Sequence, residues 1–119
     1  MKGPKPEATI ETSVAVVRVG RRARRPFLEQ LEGAGAPKRF VLNKPEMVVG
    51  RDEKADVRLP SANVSRRHAR ITCRPHEVSI HDLESRNGVF LNGIKVRSAV
   101  LRDGDIVQLA DFVFEFCEE

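Results

Sequence analysis

The sequence predicts an all-β sandwich or barrel, on three observations. From Phe27 onward, short apolar runs recur at regular spacing, with Gly, Pro and Asn between them. Asn92-Gly93 separates two of these runs, and both residues tolerate the positive φ that a tight hairpin turn needs. No window beyond Phe27 shows sustained helical periodicity.

The individual strands are predicted from alternation and from turn residues. Phe27–Leu31 precedes a Gly-Ala-Gly-Ala-Pro breaker at positions 33–37. In the predicted strand His68–Arg74, Ala69, Ile71 and Cys73 fall on one side, which is typical of a strand with one buried face. The other predicted strands are Arg39–Leu42, Met47–Val49, Glu77–Asp82, Val89–Leu91, Ile94–Val96, Asp105–Leu109 and Phe112–Phe116.

The chain divides into a tail, residues 1–26, and a domain, residues 27–119. The first dozen residues are rich in Pro, Lys and small polar residues, which indicates disorder. An apolar run, Val14–Val19, is either an added strand or a docking segment. Residues 18–25 contain five arginines and no acid, so they carry +5 while the whole chain carries +4. No aromatic residue stands among these arginines to stack on bases, which favours a flexible basic linker over a nucleic-acid site.

Composition narrows the function classes. The 119 residues fit one domain plus a tail, and they contain no apolar stretch long enough to span a membrane. The chain start lacks a signal-peptide pattern, so a cytoplasmic location is expected. Cys73 and Cys117 lack the neighbours of a zinc site and lie on opposite faces of their strands, so no metal, cofactor or disulfide is expected.

Five short patterns follow one another within about sixty residues, and the first three fall in loops or at strand ends, where a rigid sandwich presents side chains. Together they offer guanidinium groups, hydroxyls and an amide. These groups suit a phosphate monoester attached to a peptide, since guanidinium and hydroxyl donors bind its oxygens. The patterns are Gly50-Arg51, Ser65-Arg66-Arg67-His68, Ser85-Arg86-Asn87-Gly88, Asn92-Gly93 and Leu101-Arg102-Asp103-Gly104-Asp105-Ile106.

In this order and spacing, the five patterns resemble the forkhead-associated (FHA) family of phosphothreonine-binding domains. The resemblance covers about residues 27–118. It implies a sandwich of two twisted antiparallel sheets, with a phosphopeptide bound by loops at one end.

The resemblance also implies roles for individual residues. Arg51 and Ser65 match phosphate contacts of the family, and Asn87 matches the asparagine that holds the peptide main chain. Arg66 follows the phosphate-binding serine, where the family often has a polar or basic contact residue. Arg86 stands where many members have threonine, but arginine also occurs there and is expected to reach the phosphate.

Other positions match supporting residues of the family or depart from its pattern. His68 matches a histidine that braces the binding loops, while Gly50 and Gly88 match positions of close backbone packing. Glu84 and Val89 replace the commoner glycine and threonine. Val89 still suits a strand, and Glu84 puts an acid near an anion site.

The resemblance implies phosphothreonine-dependent protein recognition in bacterial-type serine/threonine kinase signalling. The expected partner is a phosphothreonine protein, such as a kinase or its substrate. An enzyme is not expected, because no acid is placed to orient His68 toward Ser65 and no Gly-x-Ser-x-Gly elbow occurs. His76 and His81 are expected at the surface, completing no metal site.

Two alternative functions stay open. Some small members of the family carry a phosphorylatable tail threonine that folds back onto the domain, and Thr12 is the candidate here. The other alternative is nucleic-acid binding by the segment Arg18–Arg25, which is the chain's only concentrated basic run.

Overall fold

A computed structural model describes residues 25–119, and these residues form strands, turns and loops without a helix. It follows that the described part contains no helix able to cross a membrane. The strands are β1 (Pro26–Glu32), β2 (Arg39–Val41), β3 (Glu46–Gly50), β4 (Val57–Arg58), β5 (Ala69–Arg74), β6 (Glu77–Asp82), β7 (Val89–Leu91), β8 (Ile94–Val96), β9 (Ser98–Leu101), β10 (Ile106–Leu109) and β11 (Phe112–Glu118).

The strands form two sheets. One has six strands in the order β2-β1-β11-β10-β7-β8, and the other has five in the order β4-β3-β5-β6-β9. Every pairing is antiparallel except β3 with β4, which run parallel through Val49↔Val57 and Gly50↔Arg58. The predicted all-β sandwich of two sheets is confirmed, with one short parallel pair added.

A single apolar core lies between the sheets. Alternation along β11 buries Phe112, Phe114 and Phe116 completely or almost so, and the facing sheet contributes Ile71 and Ile80. Large side chains that repeat every second residue can all point to one side of a strand. The same alternation therefore builds both inner faces of the sandwich.

The two cysteines are free thiols on different sheets. Cys73 in β5 packs partly against the core, and Cys117 in β11 is partly exposed. Burial raises the pKa of both thiols, and the carboxylates of Glu115 and Asp103 raise that of Cys117 further. Both thiols are therefore held in the protonated, less reactive form.

Two strands were not predicted, and several strand boundaries differ by one or two residues from the predicted ones. β4 has only two residues, and β9 begins with polar Ser98 and leaves Val100 exposed, so neither forms an apolar run. β1 begins at Pro26, and the Arg25 amide donates to the Glu119 carbonyl, so pairing starts before the expected boundary at Phe27. Thr12, Val14–Val19 and residues 18–24 of the arginine segment lie outside the described residues.

The topology brings three loops to one end of the sandwich. β3 and β6 end where their antiparallel neighbour β5 begins, and β7 starts at the same end. The loops between β3 and β4, between β4 and β5, and between β6 and β7 therefore meet there. We call this end of the molecule the loop end.

Candidate functional site

Arg51 is the first residue after β3, and the following loop fixes both its backbone and its side chain. Its amide donates to the Ser65 carbonyl at 3.0 Å, and its Nε donates to the Val64 carbonyl at 3.0 Å. Among the described residues, the two outer guanidinium nitrogens make no hydrogen bond or ion pair. The Nε hydrogen bond therefore orients the Arg51 side chain, while the two outer guanidinium nitrogens remain available as donors to a ligand.

Gly50 allows the loops on either side of it to approach closely. A Cβ atom at this position would overlap the Arg66 carbonyl oxygen and lie 3.1 Å from the Arg67 Cα. That carbonyl accepts the Asp52 amide at 3.2 Å. Any side chain at Gly50 would therefore push apart the two segments that carry Arg51 and Arg66.

His68 lies at the centre of the site and is completely buried. Its Nδ1 accepts the Ser65 amide at 3.1 Å, and its Nε2 lies 2.8 Å from the Gly88 carbonyl oxygen. A carbonyl accepts only, so this pair of partners places the ring proton on Nε2. One imidazole thus joins the loop before β5 to the loop before β7.

Arg86 and Asn87 add three further bonds between the same two loops. The Arg86 amide donates to Ser65 Oγ at 3.0 Å, and its guanidinium donates to the Ala62 carbonyl at 2.9 Å. Asn87 Nδ2 donates to the Asn63 carbonyl at 2.6 Å. The Ser65 hydroxyl proton and Asn87 Oδ1 are not used by these bonds, so both are open to a ligand.

The turn before β7 is closed by its own side chains. Ser85 Oγ donates to Asp82 Oδ1 at 2.5 Å and accepts the Gly88 amide at 2.8 Å. Gly88 has φ +81°, which suits glycine, but exposed Glu84 has φ +56°. Glu84, which replaces the family's commoner glycine, therefore occupies a backbone conformation that glycine adopts at lower cost. Val89 is buried in β7, in agreement with its predicted strand position.

The Asp56 carboxylate fixes the end of the loop between β3 and β4. Asp56 accepts the Lys44 ammonium at 2.7 Å and the Val48 amide at 2.8 Å. The Lys44 hydrogen bond, followed by the Val48 amide, lowers the pKa of Asp56 from its ordinary value. The residue immediately before β4 is thereby tied to β3.

Two open cavities are lined in part by residues 60–63, the larger by residues 60–62 and the smaller by Asn63. The larger measures about 740 Å³ and the smaller about 370 Å³. The larger is lined by Arg51, Asp52, Glu53, Arg58, Pro60, Ser61, Ala62 and Arg66. The smaller is lined by Asn63, Asn87, Phe90, Ala110 and Asp111.

All five residues predicted to contact the ligand lie at the loop end. Arg51 and Arg66 line the larger cavity, Asn87 lines the smaller one, and Ser65 and Arg86 are bonded to each other between the loops. The three predicted supporting residues, Gly50, His68 and Gly88, lie directly beneath them.

Two features of the site were not predicted from sequence. Arg58 lines the larger cavity but belongs to a strand of two residues, which leaves no periodic signal. Ser85 belongs to one of the five patterns, but no role was predicted for it. Its bonds to Asp82 and Gly88 depend on the shape of the turn, which the spacing of residues does not reveal.

The other histidines lie away from this site. His76 is exposed in the turn between β5 and β6, and His81 lies on the five-stranded sheet between the hydroxyls of Ser79 and Ser98. Within residues 25–119, no three His, Cys, Asp or Glu side chains are grouped closely enough to hold a metal ion.

Comparison with known proteins identifies the family. The model of the FHA domain matches residues 47–110, which include Arg51, Ser65 and Asn87. The chain belongs to the FHA domain family. The match also covers β3 to β10 in order, so both sheets contribute to it.

Solved FHA structures have the same fold. The FHA domain of CT664 from Chlamydia trachomatis superposes with a TM-score of 0.73 at 32% identity, covering 80% of this chain and 98% of that one. EmbR of Mycobacterium tuberculosis, in complex with a low affinity phosphopeptide, superposes with a TM-score of 0.72 at 32% identity, covering 78% of this chain and 24% of that one.

A regulatory protein is also similar in sequence. The glycogen accumulation regulator GarA of Mycolicibacterium smegmatis is 39% identical over 84 residues, which is 71% of this chain and 53% of that protein. The chain thus spans about half the length of this relative. The similarity therefore concerns one part of a longer regulator.

Proposed function

We propose that this FHA domain binds a phosphorylated threonine on a protein partner. The observation that carries the proposal is the pair of Arg51 and Arg66 on one open cavity, with Ser65 bonded to the Arg51 amide and next to Arg66 in the chain. Arg51 keeps two guanidinium donors and Ser65 keeps its hydroxyl proton. A phosphate monoester has a charge of about −1.5 to −2 and three acceptor oxygens, so it matches these donors.

Asn87 supplies the contact to the peptide main chain. Its Nδ2 is already held by the Asn63 carbonyl, which fixes the plane of the amide. Oδ1 then accepts a main-chain N–H of the ligand, and the second Nδ2 proton donates to a main-chain carbonyl. Phosphate attraction to Arg51 supplies affinity, while these main-chain contacts and the threonine methyl group supply specificity.

The comparisons support a binding role over catalysis. A similar FHA structure holds a phosphopeptide, and the similar GarA is named as a regulator. The buried His68 ring uses both nitrogens on backbone groups, so it has no free nitrogen to act as a base toward Ser65. We therefore place the protein in serine/threonine kinase signalling as a non-enzymatic reader of phosphorylated proteins.

The test is the affinity of matched peptides for the wild-type protein and for Arg51→Ala. Removal of a charge-assisted hydrogen-bonding group costs about 1.5 to 3 kcal/mol, so the Kd for a phosphothreonine peptide should rise roughly 10- to 150-fold. The control is Arg102→Ala, which removes an exposed arginine at the other end of the sandwich and should leave the Kd unchanged.

The same titrations compare the phosphothreonine peptide with its phosphoserine and unphosphorylated forms. Both should bind the wild-type protein much more weakly. Equal affinity for all three peptides would refute phosphothreonine recognition, because neither the phosphate nor the methyl group would then be read.

A second proposal concerns regulation by the tail. Thr12 is the candidate phosphorylation site, and it lies outside the described residues. Twelve residues lie between it and Arg25, and at roughly 3.3 Å per extended residue they span about 40 Å, which is enough to reach the loop end. Incubation with a threonine kinase, followed by mass spectrometry and peptide titration, tests the switch. A tail phosphate that leaves peptide binding unchanged rejects it.

Nucleic-acid binding by the segment Arg18–Arg25 is the competing hypothesis. It predicts a mobility shift at low salt that deletion of residues 1–26 abolishes. The cytoplasmic location also stays a prediction.

A further inference from the structure

The larger cavity contains more positive charge than one phosphate group needs. Three arginines line it, and its volume of about 740 Å³ leaves room for ligand groups beside a single phosphate. Arg51 and Arg66 flank Ser65 and are engaged by the proposed phosphate. Arg58 is the third arginine and has no part in that contact.

The strand pairing fixes Arg58 on the wall of the cavity. β4 runs parallel to β3 with Gly50 opposite Arg58, and the Leu59 amide donates to the Gly50 carbonyl at 2.8 Å. Val57 points into the core, so alternation directs Arg58 outward. The side chain is exposed, and it makes no ion pair or side-chain hydrogen bond with any other residue from 25 to 119.

The two acids of the cavity do not neutralise Arg58. Asp52 Oδ1 accepts the Lys54 amide at 3.0 Å, and Asp52 also lines a neighbouring cavity together with Lys54 and Arg67. Its carboxylate therefore has other positive groups nearby. Glu53 is exposed and lies more than 4 Å from the Arg58 nitrogens, since no salt bridge joins them.

We propose that Arg58 is a specificity-determining residue that binds a second anion on the ligand. The anion is a carboxylate or a second phosphate on the same peptide, because a guanidinium binds both with paired donors. This inference rests on the proposed function, since the phosphothreonine places the rest of the peptide across the cavity.

The position of Arg58 also sets the side of the phosphothreonine on which this anion lies. Asn87 lines the smaller cavity and Arg58 lines the larger one, and the two cavities share no lining residue. The peptide stretch that Asn87 holds therefore lies along a different cavity from the one that Arg58 lines. The second anion belongs to the peptide stretch that leads away from Asn87.

The experiment moves one glutamate through each position on both sides of the phosphothreonine of a weakly charged peptide. Kd values are measured by fluorescence anisotropy for the wild-type protein, Arg58→Gln and Arg102→Gln. We expect one position at which glutamate strengthens binding about fivefold, as a partly exposed charge pair does. A second phosphothreonine at that position should strengthen it about tenfold or more, because its charge is larger.

The variants separate Arg58 from a general charge effect. Arg58→Gln should abolish the gain and leave the affinity of the uncharged peptide nearly unchanged, while Arg102→Gln should keep the gain. Glu53→Gln should enlarge it, since it removes a competing negative charge. The gain should also fall as salt is raised from 50 to 500 mM, conditions that shorten the Debye length by about threefold.

The outcomes distinguish this inference from the proposed function. If phosphothreonine peptides bind but no position shows an Arg58-dependent gain, the inference is wrong and the proposed function stands. A gain of equal size in Arg58→Gln would also overturn the inference, because a group other than Arg58 would then bind the anion. If no phosphothreonine peptide binds, the proposed function fails and the inference fails with it.

Discussion

The two ends of the sandwich use the same kinds of turn residue for different purposes. At the loop end, His68 and Asn87 bond to carbonyls of other loops, 20 and 24 residues away. At the opposite end, the Asp105 carboxylate accepts the Arg102 amide three residues before it, and the Asp105 amide donates to the Arg102 carbonyl. Asn92 also bonds to Asp105 and Ile106 at that end. Both ends therefore have bonds between distant segments, but at the loop end the joining side chain of His68 is completely buried.

The ends also differ in charge. Arginines line the larger cavity of the loop end, whereas Glu77, Asp103 and Glu118 line a cavity of about 500 Å³ at the opposite end, with His76 and Arg102. An anionic ligand is therefore attracted to one end and repelled by the other. The two ends of the sandwich therefore differ in charge because their loops differ.

The loop end shows how a candidate ligand site can be ordered and still open in a folded protein. Bonds between loops fix the positions of Arg51, Ser65 and Asn87 but leave donors or acceptors of each unused. A site that is ordered before its ligand arrives loses less conformational entropy on binding. Within residues 25–119, the cavity at the opposite end is instead lined by acids and bases together.

His68→Leu should have the largest effect on stability, because the buried His68 ring joins the loop before β5 to the loop before β7. The substitution leaves the Ser65 amide and the Gly88 carbonyl without their buried partner, at about 1 to 3 kcal/mol each. We expect the free energy of unfolding to fall by about 3 kcal/mol. Urea denaturation measures this loss, and titration at a temperature where the variant is folded should show weaker peptide binding.

His81→Leu is the matched control. Its ring bonds only to two serine hydroxyls on the outside of the five-stranded sheet, so we expect a loss below about 1 kcal/mol and unchanged binding. Similar losses for both histidine variants would contradict the special role of the bond between the loops.

Asn92→Ala should have an intermediate effect on stability and none on binding. Asn92 has φ +50°, its Nδ2 donates to Asp105 at 3.0 Å, and its Oδ1 accepts the Ile106 amide at 2.9 Å. Losing these bonds in an exposed turn should cost about 1.5 kcal/mol. Thermal denaturation gives the stability, and peptide titration gives the binding. A clear loss of affinity would show that the two ends are coupled.

Glu84→Gly should have the smallest effect, and it should stabilise the protein. Glycine relieves the cost of φ +56° but gains freedom in the unfolded chain, so we expect a net gain of about 0.5 kcal/mol. Removal of an exposed acid near the arginines should also strengthen phosphopeptide binding about twofold.

Glu84→Gln separates the two causes. It removes the charge and keeps the backbone strain, so it should share the gain in binding without the gain in stability. A Glu84→Gly variant that is less stable than the wild type would show that the Glu84 side chain makes a contribution larger than its strain.

Much of the fold was predictable because alternation and turn residues are local signals. Nine of the eleven strands were expected near their observed bounds, since each contains an apolar run or ends at a turn residue. The exceptions, β4 and β9, are short, and β9 is partly polar, so their pairing depends on neighbours distant in sequence. Arg58 was missed for the same reason.

By itself, the sequence determined the two inner faces of the sandwich and the positions of the turns, and it indicated the candidate residues for binding phosphate. Those features follow from side-chain size, polarity and spacing along the chain. Only the tertiary structure decided that Gly50 meets the Arg66 carbonyl, that His68 joins two loops and that Arg58 stands on the wall of the same cavity as Arg51. Each of these contacts joins residues that strand pairing brings together, and pairing between distant segments is fixed by packing of the whole core.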